Sequence, residues 1–125
     1  MDKRRENAMP SVLLDKELLG SLEKRLGQDK LIRILTAQMR FGEQNLDTID
    51  RLRQTLNREE INSIAHQLAG TSGSLGLMKL GMLAARLERE NSALSDEELS
   101  SALSEIRAVL VSSLAVLLEA YPDAM

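Results

Sequence analysis

Residues 57–76, "NREEINSIAHQLAGTSGSLG", decide the fold because they contain a helix start, an apolar face and a helix stop. Asn57 suits the N-cap position, and Glu60 three residues later completes a capping-box pattern. Gly76 suits the position just beyond a helix, where glycine ends helices. The segment therefore predicts an amphipathic helix that weakens across its glycines toward Gly76. Its apolar face is formed by Ile61, Ile64, Ala65 and Leu68.

Two helices are predicted before this segment. A short one starts near Asp15 and is stopped by Gly27. A long one runs from about Asp29 to about Leu56, with leucine and isoleucine recurring on one face. Proline occurs only at positions 10 and 122, so nothing between them forbids helix.

Two further helices are predicted after Gly76. Leucines from Leu77 to Leu87 form one face of the first. "SDEE" at residues 95–98 repeats the capping-box signature and opens the last helix, which Pro122 ends. Amphipathic helices with short connections pack as bundles. We therefore expect an all-α fold, an antiparallel four-helix bundle with a short extra N-terminal helix.

Composition limits the classes of function. The 125 residues predict one domain over residues 11–125, preceded by a mobile tail, "MDKRRENAMP" at residues 1–10. The net charge of −3 and the pI of about 5.2 argue against a nucleic-acid partner. The apolar runs are too short to span a bilayer, so no membrane partner is expected. The absence of cysteine fits a reducing compartment, and we expect a cytoplasmic monomer.

His66, the single histidine, is predicted to face solvent. At about 100° per residue, it lies roughly 150° from the centre of the apolar face. Gly70 and Gly73 fall at nearly the same angle, and Ala69 lies to one side. Glycine within a helix costs about 1 kcal/mol relative to alanine. Together, the exposed imidazole and the glycines beside it indicate that another macromolecule approaches this surface closely. Taken one at a time, the histidine is explained as an ordinary surface residue and the glycines as a frayed helix end.

Several kinds of histidine chemistry fit the sequence poorly. A metal site lacks a second histidine or any cysteine. A Ser-His-Asp hydrolase lacks a nucleophile elbow and a pocket around an outward imidazole. "GTSGSLGLMK" at residues 70–79 lacks the spacing of a phosphate-binding loop. The remaining chemistry is an imidazole nitrogen acting as a nucleophile toward a group that a partner supplies.

Residues 65–88, "AHQLAGTSGSLGLMKLGMLAARLE", resemble the signature of histidine-containing phosphotransfer (HPt) domains. That signature is approximately A-H-x-L-K-G-S-A-x-x-[LIV]-G-x-x-x-L-x-x-x-A-x-x-[LI]-[EQ]. The helical layout on both sides is also similar, so the resemblance covers most of the chain. The positions that agree are Ala65, His66, Leu68, Gly70, Leu75, Gly76, Leu80, Ala84 and Glu88.

The resemblance implies a phosphorelay intermediate without kinase activity of its own. His66 would be phosphorylated by the aspartyl phosphate of one receiver domain and would pass the group to another. The partners implied are receiver domains of hybrid sensor kinases and of response regulators. They would bring Mg²⁺, and this chain would bind no cofactor. Glu88 matches the position whose Glu or Gln orients the imidazole.

One position departs from the family pattern. Ala69 stands where the family usually has lysine three residues after the histidine, a partner of the phosphoryl oxygens. Lys79 matches a position that is often basic and is the candidate to compensate; otherwise it is a solvated charge. The departure bears on the lifetime of the phosphorylated state and on partner choice.

The resemblance also implies a docking face on the first helices around His66. The apolar candidates are residues that lie at the edge of the apolar face of their own helix, or outside it. Burial in the core is the competing explanation for each. They are Val12, Leu13, Leu19 and Met39, together with Ala69, Gly70, Gly73 and Lys79.

Three other functions are weighed against the relay. A pure interaction domain of the same fold, binding a receiver or a kinase without phosphorylation, is favoured by Ala69. A homo-oligomer would pack Gly70 and Gly73 against their copies. An enzyme with its own active site is the least supported.

Overall fold

The computed structural model describes residues 13–124, and its regular elements are all helical. The α-helices are α1 Lys16–Leu26, α2 Gln28–Thr55, α3 Arg58–Leu75, α4 Met78–Glu90 and α5 Asp96–Ala120. Short 3-10 turns, Asn91–Ala93 and Pro122–Ala124, follow α4 and α5. No strand occurs within residues 13–124, which confirms the all-α class. The predicted tail, residues 1–10, lies outside the described residues.

Local signals set the ends of α1 and α2. The Asp15 side chain accepts a hydrogen bond from the Leu18 N–H at 3.0 Å, as an N-cap does. Gly27 separates α1 from α2 with a φ of +87°, a backbone conformation that other residues rarely adopt. Leu56 takes a left-handed conformation, with a φ of 51°, between α2 and α3. The predicted bounds are therefore confirmed to within one residue.

The structure corrects two details of α3. Asn57 caps the helix by accepting from the Glu60 N–H at 3.1 Å, but the Glu60 carboxylate bonds Arg51 of α2 at 3.1 Å. The capping-box pattern thus forms only half a box, because the acidic side chain has a cation within reach. The helix also does not weaken across its glycines; it stays regular to Leu75 and ends at Gly76, with a φ of +74°.

The core is built from aliphatic side chains that every helix contributes. Helix α5 supplies the largest share and packs against both α2 and α4. It begins with a complete capping box, in which Ser95 and Glu98 each bond the other's backbone N–H. The largest fully buried side chains include Leu31, Leu35, Ile49, Leu52, Leu99, Leu103 and Leu110.

Helix α5 corrects the expectation that no segment suits a bilayer. By length and composition alone, Asp96–Ala120 is long and apolar enough to cross a membrane. Its buried positions recur along the whole helix, from Leu99 to Leu117, and pack in the common core. The central helix of a soluble bundle has the same composition, since more than one of its faces meets other helices.

Gly42 lets α2 and α5 approach closely. A Cβ at this position would lie 2.8 Å from Leu114 Cδ1 and 3.3 Å from Leu114 Cγ. Overpacking a core in this way costs about 1–3 kcal/mol. We predict that Gly42→Leu lowers the free energy of unfolding by ~2 kcal/mol, measured by urea denaturation. Gly20→Leu is the matched control, because a Cβ at Gly20 meets nothing within 4 Å. Equal stability of the two variants would contradict the close approach.

A second link joins the same two helices at the surface. Arg107 of α5 donates from Nε to Asp50 Oδ1 at 2.6 Å and from its terminal nitrogen to Oδ2 at 3.2 Å. These bonds hold the pKa of the Asp50 carboxyl below its ordinary value. The stabilisation is therefore complete above the unfolded-state pKa of about 4 and is lost as the pH falls through the folded-state value.

This link predicts how an Asp50 variant responds to acid. Asp50→Asn should be less stable than the wild type near pH 7, and the difference should shrink as the pH falls below about 4. Thermal unfolding followed at several pH values measures the difference. A gap that stays constant down to pH 2 would show that Asp50 stabilises by some other means than its charge.

Candidate functional site

His66 lies on the exposed side of α3. Its side chain is 76% exposed, whereas Ala65 and Leu68 beside it in sequence are buried. The prediction that the imidazole faces solvent is confirmed. The apolar residues of α3 are drawn to the core, and the 3.6-residue repeat leaves His66 on the opposite side.

Glu88 of α4 meets the imidazole from the neighbouring helix. Its Oε2 lies 2.8 Å from His66 Nδ1, and its side chain is 33% exposed. Helices α3 and α4 run in opposite directions, because Ser72 faces Gly81 while His66 faces Glu88. Sequence periodicity left Glu88 evenly balanced between a surface charge and a partner of His66, and the geometry places it in contact.

Gly81 marks a close approach of α3 and α4 that the sequence analysis missed. A Cβ at this position would lie 3.3 Å from the Cβ of Ser72, which is tighter than ordinary van der Waals contact. The absence of a side chain therefore suits the short distance between the two helices at this point. A glycine in the first turn of α4, beside a leucine face, was the available signal.

The carboxylate decides which imidazole nitrogen stays free. An ionised carboxylate only accepts hydrogen bonds, so Nδ1 carries the proton that it donates to Glu88. In neutral imidazole, Nε2 then holds a lone pair and no proton. The site thus offers an oriented nucleophile to the solvent.

The surface beyond His66 on α3 is bare. Gly70 and Gly73 are exposed, and a Cβ at either would meet nothing within 4 Å. Neither glycine is therefore required for packing within residues 13–124. Ala69 differs from them, because it is partly buried and packs against the core. It lies at the edge of the bare surface.

Lys79 lies away from His66. It precedes Glu88 by nine residues on α4, which corresponds to about 13.5 Å along the axis and about half a turn. Glu88 is directed toward α3, so Lys79 projects from the opposite flank of α4. The suggestion that Lys79 replaces the missing lysine beside His66 is not supported by this placement. Its part in binding a partner stays a prediction.

The structure separates the apolar docking candidates. Leu19 is 1% exposed, which excludes it from a contact surface and corrects its selection. Leu13 and Met39 are partly buried against the core, and the Leu13 carbonyl accepts from the Met78 N–H at 3.1 Å. Val12 lies outside the described residues. Packing against the core, rather than exposure on a docking surface, is therefore the main role of Leu13, Leu19 and Met39.

The site is not arranged to hold a metal ion. Within residues 13–124, no group of three or more His, Asp or Glu side chains is placed to ligate one.

Comparison with known proteins gives the family. The family model described as Hpt domain matches residues 16–120, which includes all five α-helices. Comparisons with curated proteins and with solved structures found no significant match. Hpt domains carry phosphoryl groups in two-component signalling, interact with receiver domains and are not kinases. Because the match spans most of the sequence, the chain belongs to the Hpt domain family and has a phosphotransfer role in two-component signalling.

Proposed function

We propose that this protein is a phosphorelay intermediate in which His66 Nε2 accepts a phosphoryl group from a receiver aspartate and passes it to a second receiver. The observation that carries the proposal is the 2.8 Å contact of Nδ1 with Glu88 beneath a 76% exposed imidazole. In neutral imidazole, this contact leaves Nε2 with a lone pair and no proton, and the exposure of the ring leaves that nitrogen accessible. A nucleophile that works on another protein needs both properties.

The transfer step follows from these atoms. The Nε2 lone pair attacks phosphorus, the bond from phosphorus to the aspartyl oxygen breaks, and the aspartate leaves as a carboxylate. The ring becomes cationic, and its Nδ1–H faces the Glu88 carboxylate, which stabilises that charge. Phosphoryl transfer depends mainly on positioning and charge neutralisation. The receiver would supply Mg²⁺ for neutralisation, and this chain would bind no cofactor.

The surroundings of the site fit a visiting protein. A receiver must cover His66 closely, and the open space around Gly70 and Gly73 allows this. We further propose a cytoplasmic monomer with no kinase activity, no nucleic-acid partner and no membrane partner. In this proposal α5 is a core helix, and α2–α5 form the antiparallel four-helix bundle with α1 as the additional N-terminal helix. Packing of α2 on α3, α3 on α4, α4 on α5 and α5 on α2 supports this arrangement.

Ala69 favours one competing function. Without the usual lysine, the phosphorylated state has one cation fewer, and a domain that only binds a receiver or a kinase would tolerate that loss. Incubation with a panel of phosphorylated receiver domains from the same genome separates the two. A relay protein acquires acid-labile, alkali-stable label from at least one receiver. Stable binding with no label from any receiver would favour the interaction domain.

Variants at Glu88 test the role of the carboxylate. Glu88→Ala removes the acceptor for Nδ1–H, and loss of such an orienting partner typically costs about 10–100-fold. We predict a transfer rate lower by that factor for Glu88→Ala. For Glu88→Gln, whose amide oxygen still accepts, we predict a change of a few-fold. Quenched-flow phosphorylation measures both.

Glu90→Ala is the matched control on the same helix, since Glu90 pairs with Arg86 rather than His66. Its transfer rate should equal that of the wild type. If Glu88→Ala also transfers at the wild-type rate, orientation by the carboxylate is not required.

A further inference from the structure

Asn45 of α2 is a buried polar residue whose side-chain nitrogen has no partner. The residue is 4% exposed, and Nδ2 makes no hydrogen bond within the described part of the chain. Buried amide groups are nearly always hydrogen-bonded, because an unpaired one loses its hydration without compensation. The neighbouring buried positions of the same face are Gly42 and Ile49, and the remaining ones are leucines. An asparagine here therefore requires an explanation.

A pocket between α2 and α3 adjoins this amide. It encloses ≈ 180 Å³, and its lining includes Asn45, Arg51, Ser63 and Gln67. Water occupies about 30 Å³ in the liquid, so the volume accommodates one side chain or a loop carbonyl rather than a single water. The Arg51–Glu60 ion pair also contributes to the lining. The pocket surface is polar and apolar in equal parts, and its polar side chains offer several hydrogen-bond donors.

The pocket lies next to the proposed phosphorylation site. Ser63 and Gln67 are exposed residues of α3, three positions before His66 and one after it. At about 100° per residue they are about 60° and 100° from His66 around the helix. A protein interface of ordinary size covers about 800 Å² on each partner. A receiver centred on His66 therefore also covers the pocket mouth.

We propose that this pocket, here named the Asn45 pocket, receives a carbonyl oxygen from the docking receiver and so selects which receivers bind. Asn45 donates the hydrogen bond from Nδ2. In the free protein Nδ2 is closed off from solvent, and the amide turns about its terminal torsion, which is broad in asparagine, to present the nitrogen when the receiver binds. The inference rests on the proposed function, since it names a contact of the receiver that exchanges phosphoryl groups with His66.

An unpaired donor in the free protein fits selection by this contact. A site built to hydrogen-bond its ligand rejects ligands that lack the matching group, because its polar atoms then stay unpaired. The unpaired donor makes the core of the free protein less stable. A receiver with a matching carbonyl supplies the missing hydrogen bond on binding. Residues that contribute to binding often lower the stability of the free protein in this way.

Two variants and one control test the pocket. Asn45→Leu keeps a similar size and removes the donor, and Ser63→Leu fills the pocket mouth from an exposed helix position. Ser112→Leu is the matched control, because Ser112 is an exposed serine of α5, a helix that packs on α2 and α4, and does not line the pocket. The receiver that labels the wild type fastest is titrated by calorimetry, and thermal unfolding is measured for each variant.

We expect about tenfold weaker receiver binding for Asn45→Leu and Ser63→Leu, and a change within twofold for Ser112→Leu. The melting temperature of Asn45→Leu should equal or exceed that of the wild type. Unchanged affinity for both pocket variants, or equal weakening by Ser63→Leu and Ser112→Leu with Asn45→Leu unaffected, would overturn the inference alone. If Asn45→Leu unfolds, the comparison of Ser63→Leu with Ser112→Leu decides it. Absence of label transfer to the wild type overturns the proposed function, and with it the partner that this inference requires.

Discussion

His66→Gln is expected to abolish phosphorylation by every receiver that labels the wild type. Glutamine has similar polarity and no ring nitrogen, so no lone pair remains to attack the aspartyl phosphate. The chain contains no second histidine. The label should therefore fall to background rather than to a reduced rate. Acid-labile, alkali-stable phosphate on the protein, followed over time, measures the effect.

The same variant should leave the fold and the docking surface intact. The imidazole is 76% exposed, and among the described residues 13–124 its side chain hydrogen-bonds only Glu88, so its removal changes little buried contact. Surface changes of this kind usually alter stability by no more than about 0.5 kcal/mol. Receiver affinity measured by calorimetry should stay within a few-fold of the wild type. Persistent acid-labile label on His66→Gln would place the phosphoryl group elsewhere and refute the proposed function.

Gly70→Leu is expected to have opposite effects on stability and on phosphoryl transfer. A side chain at Gly70 meets open space, and leucine favours helix over glycine by roughly 0.5–1 kcal/mol. The variant should therefore be more stable than the wild type. A leucine in the surface that the receiver must cover prevents close approach to Nε2. Disruption near the centre of an interface costs about 2–4 kcal/mol, so we expect transfer to slow by about 100-fold.

The control for this variant places the same side chain where no receiver docks. Ala108→Leu adds leucine at an exposed position of α5, a helix that packs on α2 and α4. It should transfer at the wild-type rate. If Gly70→Leu also transfers normally, the cleared surface has no role in docking, and its glycines need another explanation.

Gly70→Leu also tests the homo-oligomer. If copies of the chain pack through the bare surface, the wild type should self-associate in sedimentation experiments and Gly70→Leu should not. A monomeric wild type eliminates that function. A self-associating wild type whose transfer is unaffected by Gly70→Leu would favour the oligomer over receiver docking at this surface.

The ends of the helices could be predicted because they depend on neighbours in sequence. Asp15, Asn57 and Ser95 cap helices through bonds to N–H groups three residues away. Gly27 and Gly76 end helices through positive φ angles, which glycine adopts without strain. The half-formed box at Asn57 shows the limit, since Glu60 bonds an arginine nine residues earlier in the chain.

The outward orientation of His66 was also determined by sequence alone. Burial of the apolar residues of α3 fixes the rotation of the helix, and the regular repeat then places every other residue of α3. No knowledge of the neighbouring helices is needed for this step. The exposure of Gly70 follows from the same rotation.

Only the tertiary structure decided what surrounds His66. Glu88 reaches Nδ1 because α3 and α4 pack side by side, and Asn45 meets a pocket because α2 lies beside α3. Leu19 is buried by its tertiary contacts, although the sequence pattern places it outside the apolar face of its own helix. Periodicity specifies the direction in which a side chain leaves its own helix axis. Contacts between helices depend instead on the distance and the angle between two axes. Close packing of the whole core sets both of these quantities.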